Sequence, residues 1–426
     1  MTASNSRPRV KSERIAQTFL LLALGSVAFS TFFTNVFVGF CTIFFAAALF
    51  QDRDLRGNLW FAPSVLAFVL LGLFILGASW SVGPPHEIAQ GLRKYAKLLI
   101  LPIAITLGWR DATMSKRALP AFMAGAAWLA LSCYLVWFNL MPTSKLDWWR
   151  VGDATDAFAH KNHITVGIML GFATLICLLK ASYADQARTR YGALAGAMLF
   201  AFPILFLTQG RTGYVVLFIG LVTLLLVRVG ARRVRLAGGI LGIALLFVGL
   251  YFASANFKFR TDQFVSDVRN FANADARSPN GMRLSFFQVG GKAIAEHPWL
   301  GNGTGSFAEL YAPTARAIWP ADSPHAHVRI HPHSEFLGVA VQLGLIGFMV
   351  YLGMLASLGR VALGPRSFEA DSMLLLWVIY VSTSLYNSML WDPAEAYWFL
   401  LLAGCLYAGN LRRLGRQQPA GALRAA

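Results

Sequence analysis

Apolar stretches about as long as a bilayer is thick recur from one end of this chain to the other. They fall near 15–31, 32–50, 60–80, 95–109, 118–140 and 163–180, and again near 191–208, 212–228, 236–255, 335–359, 372–390 and 395–411. A helix rises ~1.5 Å per residue, so about 20 apolar residues cross the hydrocarbon layer. Backbone polar groups in lipid must be satisfied within the protein, and for runs of this length the helix does that alone. The pattern therefore predicts an all-α polytopic membrane protein of about 12 transmembrane helices. With 56% of its 426 residues hydrophobic and only 13% charged, the chain is too apolar for an ordinary soluble domain. The expected organisation is a bundle of spans 1 to 9 over residues 1–255, a helical insertion over 256–334, and spans 10 to 12 with a tail over 335–426.

The first apolar run follows a basic stretch and ends near Ser26, Ala28 and Ser30, a pattern shared with signal peptides. Ahead of so many later spans it reads as an uncleaved first helix. Cys41, Cys133, Cys177 and Cys405 all lie within apolar runs, so neither a disulfide framework nor a CxxC metal site is implied.

Twelve spans put both termini on one side, and the loops on that side are rich in Arg and Lys with few acids. They include Arg7, Arg9, Lys11 and Arg14; Arg110, Lys116 and Arg117; Arg228, Arg232, Arg233 and Arg235; and Arg412, Arg413 and Arg416. The opposite loops are nearly balanced, so both termini are expected in the cytoplasm. The net charge of +17 then records topology and contact with anionic membrane lipid, with no nucleic-acid partner expected. The same assignment sends all 8 histidines, His86, His160, His163, His297, His325, His327, His331 and His333, to the extracytoplasmic side. Histidine is the side chain suited to proton transfer near neutral pH, so the candidate bases lie where nucleotide substrates are normally lacking.

Residues 256–334 form the one long polar insertion, and loops of that length carry function or structure of their own. Phe264, Val265, Val268, Phe271 and Ala272 fall at helical spacing, which predicts an amphipathic helix from Thr261. A second helix is expected from near Asn280 to just before Pro298, with Arg283 in its first turn, where a guanidinium and unpaired N–H groups together suit phosphate. A surface arginine is the alternative. Gly301, Gly303 and Gly305, leading to Phe307, read as a tight turn, because no βαβ unit surrounds them to make a dinucleotide site.

His333 precedes Ser334 and Glu335 at the start of an apolar run, so Ser334 reads as an N-cap and His333 lies just outside the helix. The positive helix end favours neutral imidazole, the form a general base needs; an interfacial anchor is the alternative. Arg211, in Thr208-Gln209-Gly210-Arg211-Thr212-Gly213-Tyr214, occupies a very short outer turn between spans, where a charge is costly without a partner. Arg93, Lys94 and Lys97 sit on the outer side against the positive-inside bias, as expected of an anion-binding group. His160, Asn162 and His163 open the sixth span and are candidates for sugar contact, or ordinary helix-start residues. His325, His327, His331 and His333 lack the ligand spacing of a zinc site, and Asp52-Arg53-Asp54 reads as a solvated cytoplasmic loop, so no metal is expected.

These residues resemble the bacterial O-antigen ligases, within a superfamily that also holds O-antigen polymerases and protein O-oligosaccharyltransferases. His333-Ser334, nine residues, then Gly344-Leu345-Ile346-Gly347 is similar to the ligase pattern. Arg211, Arg283 and the run from Gly301 to Phe307 resemble the family's outer-turn arginine, insertion arginine and glycine-rich stretch. The resemblance implies a GT-C-like membrane glycosyltransferase of the bacterial inner membrane with a periplasmic site and no cofactor. It would move O-antigen polysaccharide en bloc from undecaprenyl pyrophosphate to a lipid A-core sugar hydroxyl, inverting and without metal. In that reading His333 is the base, Arg211 and Arg283 hold pyrophosphate, and Arg93, Lys94, Lys97, His160, Asn162, His163 and Ser334 bind substrate. The enzyme alternative is an O-antigen polymerase. A lipid-linked glycan transporter is the non-enzyme alternative, but internal repeats and charges spread through the spans are not seen.

Overall fold

The computed structural model describes residues 10–146, 149–229, 233–269, 279–318 and 331–417. His325 and His327 lie outside the described residues. Helix dominates. The N-terminal part contains α1 (Lys11–Ser26), α2 (Thr31–Gln51), the short α3 (Arg53–Gly57), α4 (Ala62–Gly77) and α5 (Pro85–Tyr95). A 3-10 turn, Ala96–Leu99, leads into α6 (Ile100–Arg110), followed by α7 (Met114–Trp137), α8 (His163–Tyr183) and α9 (Ala187–Phe202). A π-helical turn, Pro203–Leu207, precedes α10 (Arg211–Val229), α11 (Arg233–Ala253), α12 (Ala255–Arg269), α13 (Pro279–Glu296) and α14 (Phe307–Ile318). The chain closes with α15 (Glu335–Ala362), α16 (Phe368–Ser384) and α17 (Pro393–Gln417).

Each of the twelve predicted stretches is occupied by helix, and 7 of these helices have the length and apolar character to cross a membrane. They are α2, α7, α8, α9 with its π-turn, α10, α11 from Val234, and α15. The architecture is that of an all-α, multi-pass membrane protein. Between α7 and α8 the chain adds a small three-stranded antiparallel sheet, β1 (Ser144–Leu146), β2 (Trp149–Asp153) and β3 (Asp156–Ala159), in a loop the sequence pattern left unassigned. The first helix of the insertion starts at Ala255, a turn and more before the expected Thr261. The second, Pro279–Glu296, lies where expected, with Arg283 as its fifth residue, just beyond the first turn.

Helix starts follow their capping chemistry. Ser30, Asn162, Ser334 and Ser367 each accept a backbone N–H from three residues on, which satisfies a donor the helix itself cannot. The buried centre is built from α6, α8, α15, α16 and α17, with Trp398, Phe399, Phe172 and Tyr380 among the fully enclosed side chains. By contrast only 6% of the apolar window of α11 is covered, which leaves its side chains for lipid.

One end of the bundle is tied by ion pairs: Arg110 Nη2 meets Asp52 Oδ2 at 2.8 Å, with Glu13 3.6 Å from Arg110 Nε, and Arg366 meets Asp371 at 3.2 Å. Asp52 also caps α3 through Asp54 N, so the Asp52-Arg53-Asp54 run is a structural corner. The opposite end carries the starts of α8, α10 and α15 and the helices of the insertion.

The helix α15 is broken inside its apolar length. Gly344 has φ +61° and ψ −162°, so the chain leaves the helix there and re-enters it. A break at this depth strands backbone groups, and the glycine-rich turn after α13 satisfies them. Asn302 N and Gly303 N donate to Val341 O and Gln342 O at 2.9 Å each, while Leu345 N and Ile346 N donate to Pro298 O and Trp299 O at 2.7 and 3.3 Å. Irregular backbone in a membrane protein is tolerated where protein buries and pairs it, as here. Only glycine fits: a Cβ on Gly303 would lie 2.2 Å from Ser81 Cα, and one on Gly344 2.4 Å from the carbonyl of Trp299. The tight turn read from the sequence is thus a splice that joins α13, α15 and the α4–α5 corner.

Candidate functional site

His333 sits two residues before the start of α15 with a left-handed backbone, φ +51°. Few non-glycine residues adopt it, and the surroundings must enforce it. They do so through the turn between α16 and α17. Glu335 N donates to Asn387 O at 3.1 Å, and the fully buried Glu335 Oε2 accepts from Leu390 N at 2.8 Å and Trp391 N at 3.3 Å. Ser334 Oγ caps α15 at Leu337 N, 3.3 Å, and lies 3.4 Å from Ser384 O. His331 is buried with Nδ1 2.9 Å from Ser388 Oγ, in a space that a Cβ on Gly338 would fill. Burial holds its pKa well below the ordinary histidine value, with His333, Lys94 and Lys97 acting in the same sense. His331 is therefore neutral at pH 7, a fixed support for the half-buried His333, whose ring lies 6.0 Å from that of Phe286 on α13.

Arg283 stands on the same helix as Phe286, one turn earlier. It makes no hydrogen bond or ion pair with the described residues. Its pKa is lowered, first by desolvation, then by repulsion from Arg211, with Tyr386 acting in the opposite sense. An arginine stays charged regardless, so the shift measures how poorly its charge is compensated.

Arg211 is the first residue of α10. Its turn is pressed against the start of α8: a Cβ on Gly210 would lie 2.5 Å from His163 O, and Gly213 faces Gly167 with no room for a side chain on either. Asp156 on β3 fixes the turn, accepting from Gln209 N at 2.8 Å and lying 3.4 Å from His163 Nδ1. From the other side Arg260 of α12 donates from Nη2 to Gln209 Oε1, 3.0 Å. The Arg260 pKa is likewise lowered by desolvation and then by Arg211, against Asp156 and Tyr214. Three guanidinium groups from three helices thus share one region.

The remaining predicted residues divide. Asn162 spends its side chain capping α8 at Thr165 N, 2.9 Å, the helix-start role. His160, with φ +64°, places Nε2 3.2 Å from Ser132 Oγ. His163 belongs to the Arg211 turn through Asp156. Arg93 is exposed on α5. Lys97 is buried and donates to Trp391 O at 2.8 Å, and Lys94 Nζ lies 5.6 Å from the centre of the Trp391 ring. The lysines therefore flank the turn between α16 and α17 that braces the His333 segment. Desolvation lowers the Lys94 pKa, opposed by Asp392. Asp392 is pushed up by burial and by Glu395, with both lysines pulling it down.

Sequence reasoning missed Arg260, Asp156, Glu335 and the buried Lys161, whose pKa desolvation lowers to about 8 against the pull of Glu395. None lies in a motif. Arg260 precedes the point at which the helix was expected to start, and Glu335 looks like an ordinary first-turn acid. Among the described residues no group of three or more His, Cys, Asp or Glu is placed to hold a metal ion.

Residues 196–352, which contain Arg211, Arg260, Arg283, His333 and the glycine splice, match a family model described as O-antigen ligase. No curated protein matches the chain.

Proposed function

From membership of the O-antigen ligase/polymerase superfamily, we propose that this chain is an O-antigen ligase. It transfers polysaccharide en bloc from undecaprenyl pyrophosphate to a sugar hydroxyl of lipid A-core. The reading places the protein in the bacterial inner membrane with both termini cytoplasmic and the His333 end periplasmic, following the basic loops at the other end.

The observation that carries it is the mutual repulsion of Arg211 and Arg283, with Arg283 forming no hydrogen bond or ion pair among the described residues and Phe286 of the same helix set against the His333 ring. Two half-buried guanidinium groups close enough to repel each other are costly, and a bound polyanion offsets that cost. Arginine matches phosphate oxygens in bidentate geometry, so the pair suits a pyrophosphate. Phosphate leaves readily once its growing charge is stabilised, which each well-placed donor accelerates by about 10²–10³. A positioned base adds about 10²–10⁴.

In this mechanism the acceptor hydroxyl attacks the anomeric carbon while the bond to the pyrophosphate oxygen breaks, in one inverting displacement. The hydroxyl proton passes to His333 and the electron pair of the broken bond stays on the pyrophosphate. Ser334, Lys94 and Lys97 hold the acceptor side of the site, next to the base, and Arg93 and His160 extend it toward the surface. His163 supports the Arg211 turn, and Asn162 the helix start behind it.

Purified protein with undecaprenyl-linked polymer and core lipid provides the test. His333→Ala, Arg211→Ala and Arg283→Ala should each abolish transfer while eluting as the wild type on size exclusion. A His333→Ala protein that transfers at the normal rate sinks the assignment. A deletion strain with core-only lipid and accumulated undecaprenyl-linked polymer identifies a ligase, whereas core bearing a single repeat unit identifies a polymerase.

A further inference from the structure

We propose that Arg260 is a third ligand of the donor pyrophosphate, one that engages the charge appearing as the leaving group departs. The inference rests on the pyrophosphate reading of Arg211 and Arg283.

Arg260 is held in place without being neutralised. Nη1 donates to Gln263 Oε1 at 2.9 Å and Nη2 to Gln209 Oε1 at 3.0 Å, both amide oxygens, while Nε is buried with no partner among the described residues. No carboxylate among the described residues forms an ion pair with it. Asp156, the acid that acts on it at longer range, is already engaged by Gln209 N and by His163. Gln209 is two residues from Arg211, so the amide that orients Arg260 belongs to the turn that presents Arg211. Here the fold supplies neutral acceptors and keeps the full positive charge directed at its neighbours.

The charge of the reacting group accounts for a third cation. A pyrophosphate esterified at both ends carries about two negative charges, and as a released monoester it approaches three. Arg211 and Arg283 balance the donor. As the bond from the anomeric carbon to oxygen breaks, its electron pair remains on the terminal phosphate, and the extra charge is matched by Arg260. Interactions stronger in the transition state than in the bound donor raise kcat and leave KM nearly unchanged.

The test compares Arg260→Gln, Arg260→Lys and Lys258→Gln in the full-length protein, with farnesyl pyrophosphate and farnesyl monophosphate as competitors. Lys258 is exposed on the same helix, its ammonium 5.8 Å from the centre of the Tyr251 ring. Arg260→Gln should lower kcat by about 10²–10³ with KM for donor within about threefold. It should also weaken inhibition by farnesyl pyrophosphate at least about tenfold and inhibition by the monophosphate far less, consistent with one lost charge-assisted bond. Arg260→Lys should recover part of both, and Lys258→Gln should behave as the wild type. Wild-type kcat in Arg260→Gln overturns the proposal. So does an equal loss in the Gln and Lys variants with unchanged farnesyl pyrophosphate inhibition, which makes Arg260 a brace for Gln209. Failure of the underlying reading is separate: Arg211→Ala and Arg283→Ala would then retain activity.

Discussion

Replacing Gly344 by alanine tests the splice inside α15 with a single methyl group. The backbone there, φ +61° and ψ −162°, lies in a region open essentially to glycine alone, so alanine carries about 1–3 kcal/mol of conformational strain. Its Cβ would also stand 2.4 Å from Trp299 C and O and 2.6 Å from Gly301 N, all backbone atoms that no side-chain rotation can clear. Relief requires the glycine turn to retreat, and the bonds Leu345 N to Pro298 O and Ile346 N to Trp299 O then lengthen first. Each is worth about 1 kcal/mol net, which brings the total to about 3–5 kcal/mol. The comparison is Gly291→Ala on α13, where a Cβ meets nothing within 4 Å and alanine should stabilise the helix by about 0.5–1 kcal/mol. Thermal unfolding of both variants in one detergent, with transfer rates alongside, should rank Gly291→Ala at or above the wild type and Gly344→Ala well below. The transfer rate of Gly344→Ala should fall further than stability alone dictates, because the turn carries α13 and with it Arg283. A Gly344→Ala protein with wild-type melting and turnover refutes the reasoning.

Ser334→Ala removes the cap on Leu337 N, and should cost about 1 kcal/mol together with a loss of kcat, since the same residue adjoins His333. Asn162→Ala should cost a similar amount, about 1 kcal/mol, with a smaller kinetic effect, because its side chain is engaged at Thr165 N. Lys161 has its folded pKa lowered to about 8 from 10.5. Between those values the unfolded chain binds the proton that the folded one has released, so stability should rise with pH across that window and be lost as pH falls through 8. Melting temperatures from pH 7.5 to 10, flatter in Lys161→Met than in the wild type, check the sign. His331 is shifted below its ordinary value by burial, so wild-type stability should drop as pH falls below the ordinary histidine range, less steeply in His331→Asn.

The apolar runs made the helices legible because lipid removes every alternative for a backbone of that length. Arg211, Arg283 and His333 were legible because each is a polar residue at the edge of an apolar run, where its cost asks for a reason. Arg260 was not, since it follows Phe259 in a stretch with no strong period, and its meaning comes from Gln209, distant in sequence. The role of Gly301, Gly303 and Gly305 was half legible. Their spacing announced a tight turn, but a turn does not disclose that its N–H groups complete another helix. Asn162 marks the converse: a polar residue near the site whose side chain the helix start consumes. The small sheet escaped notice because its strands are three to five residues long, too short for an alternation to register.

The splice at Gly344 also sets the unit in which such chains can be recombined. A graft cut at the visible border of the insertion, just before Glu335, would carry the glycine turn from one parent and the interrupted helix from the other. The carbonyls of Val341 and Gln342 would then meet donors shaped for a different break. Chimeras joined beyond Gly347, which move α13, the turn and both halves of the break as one block, are the ones expected to insert and function.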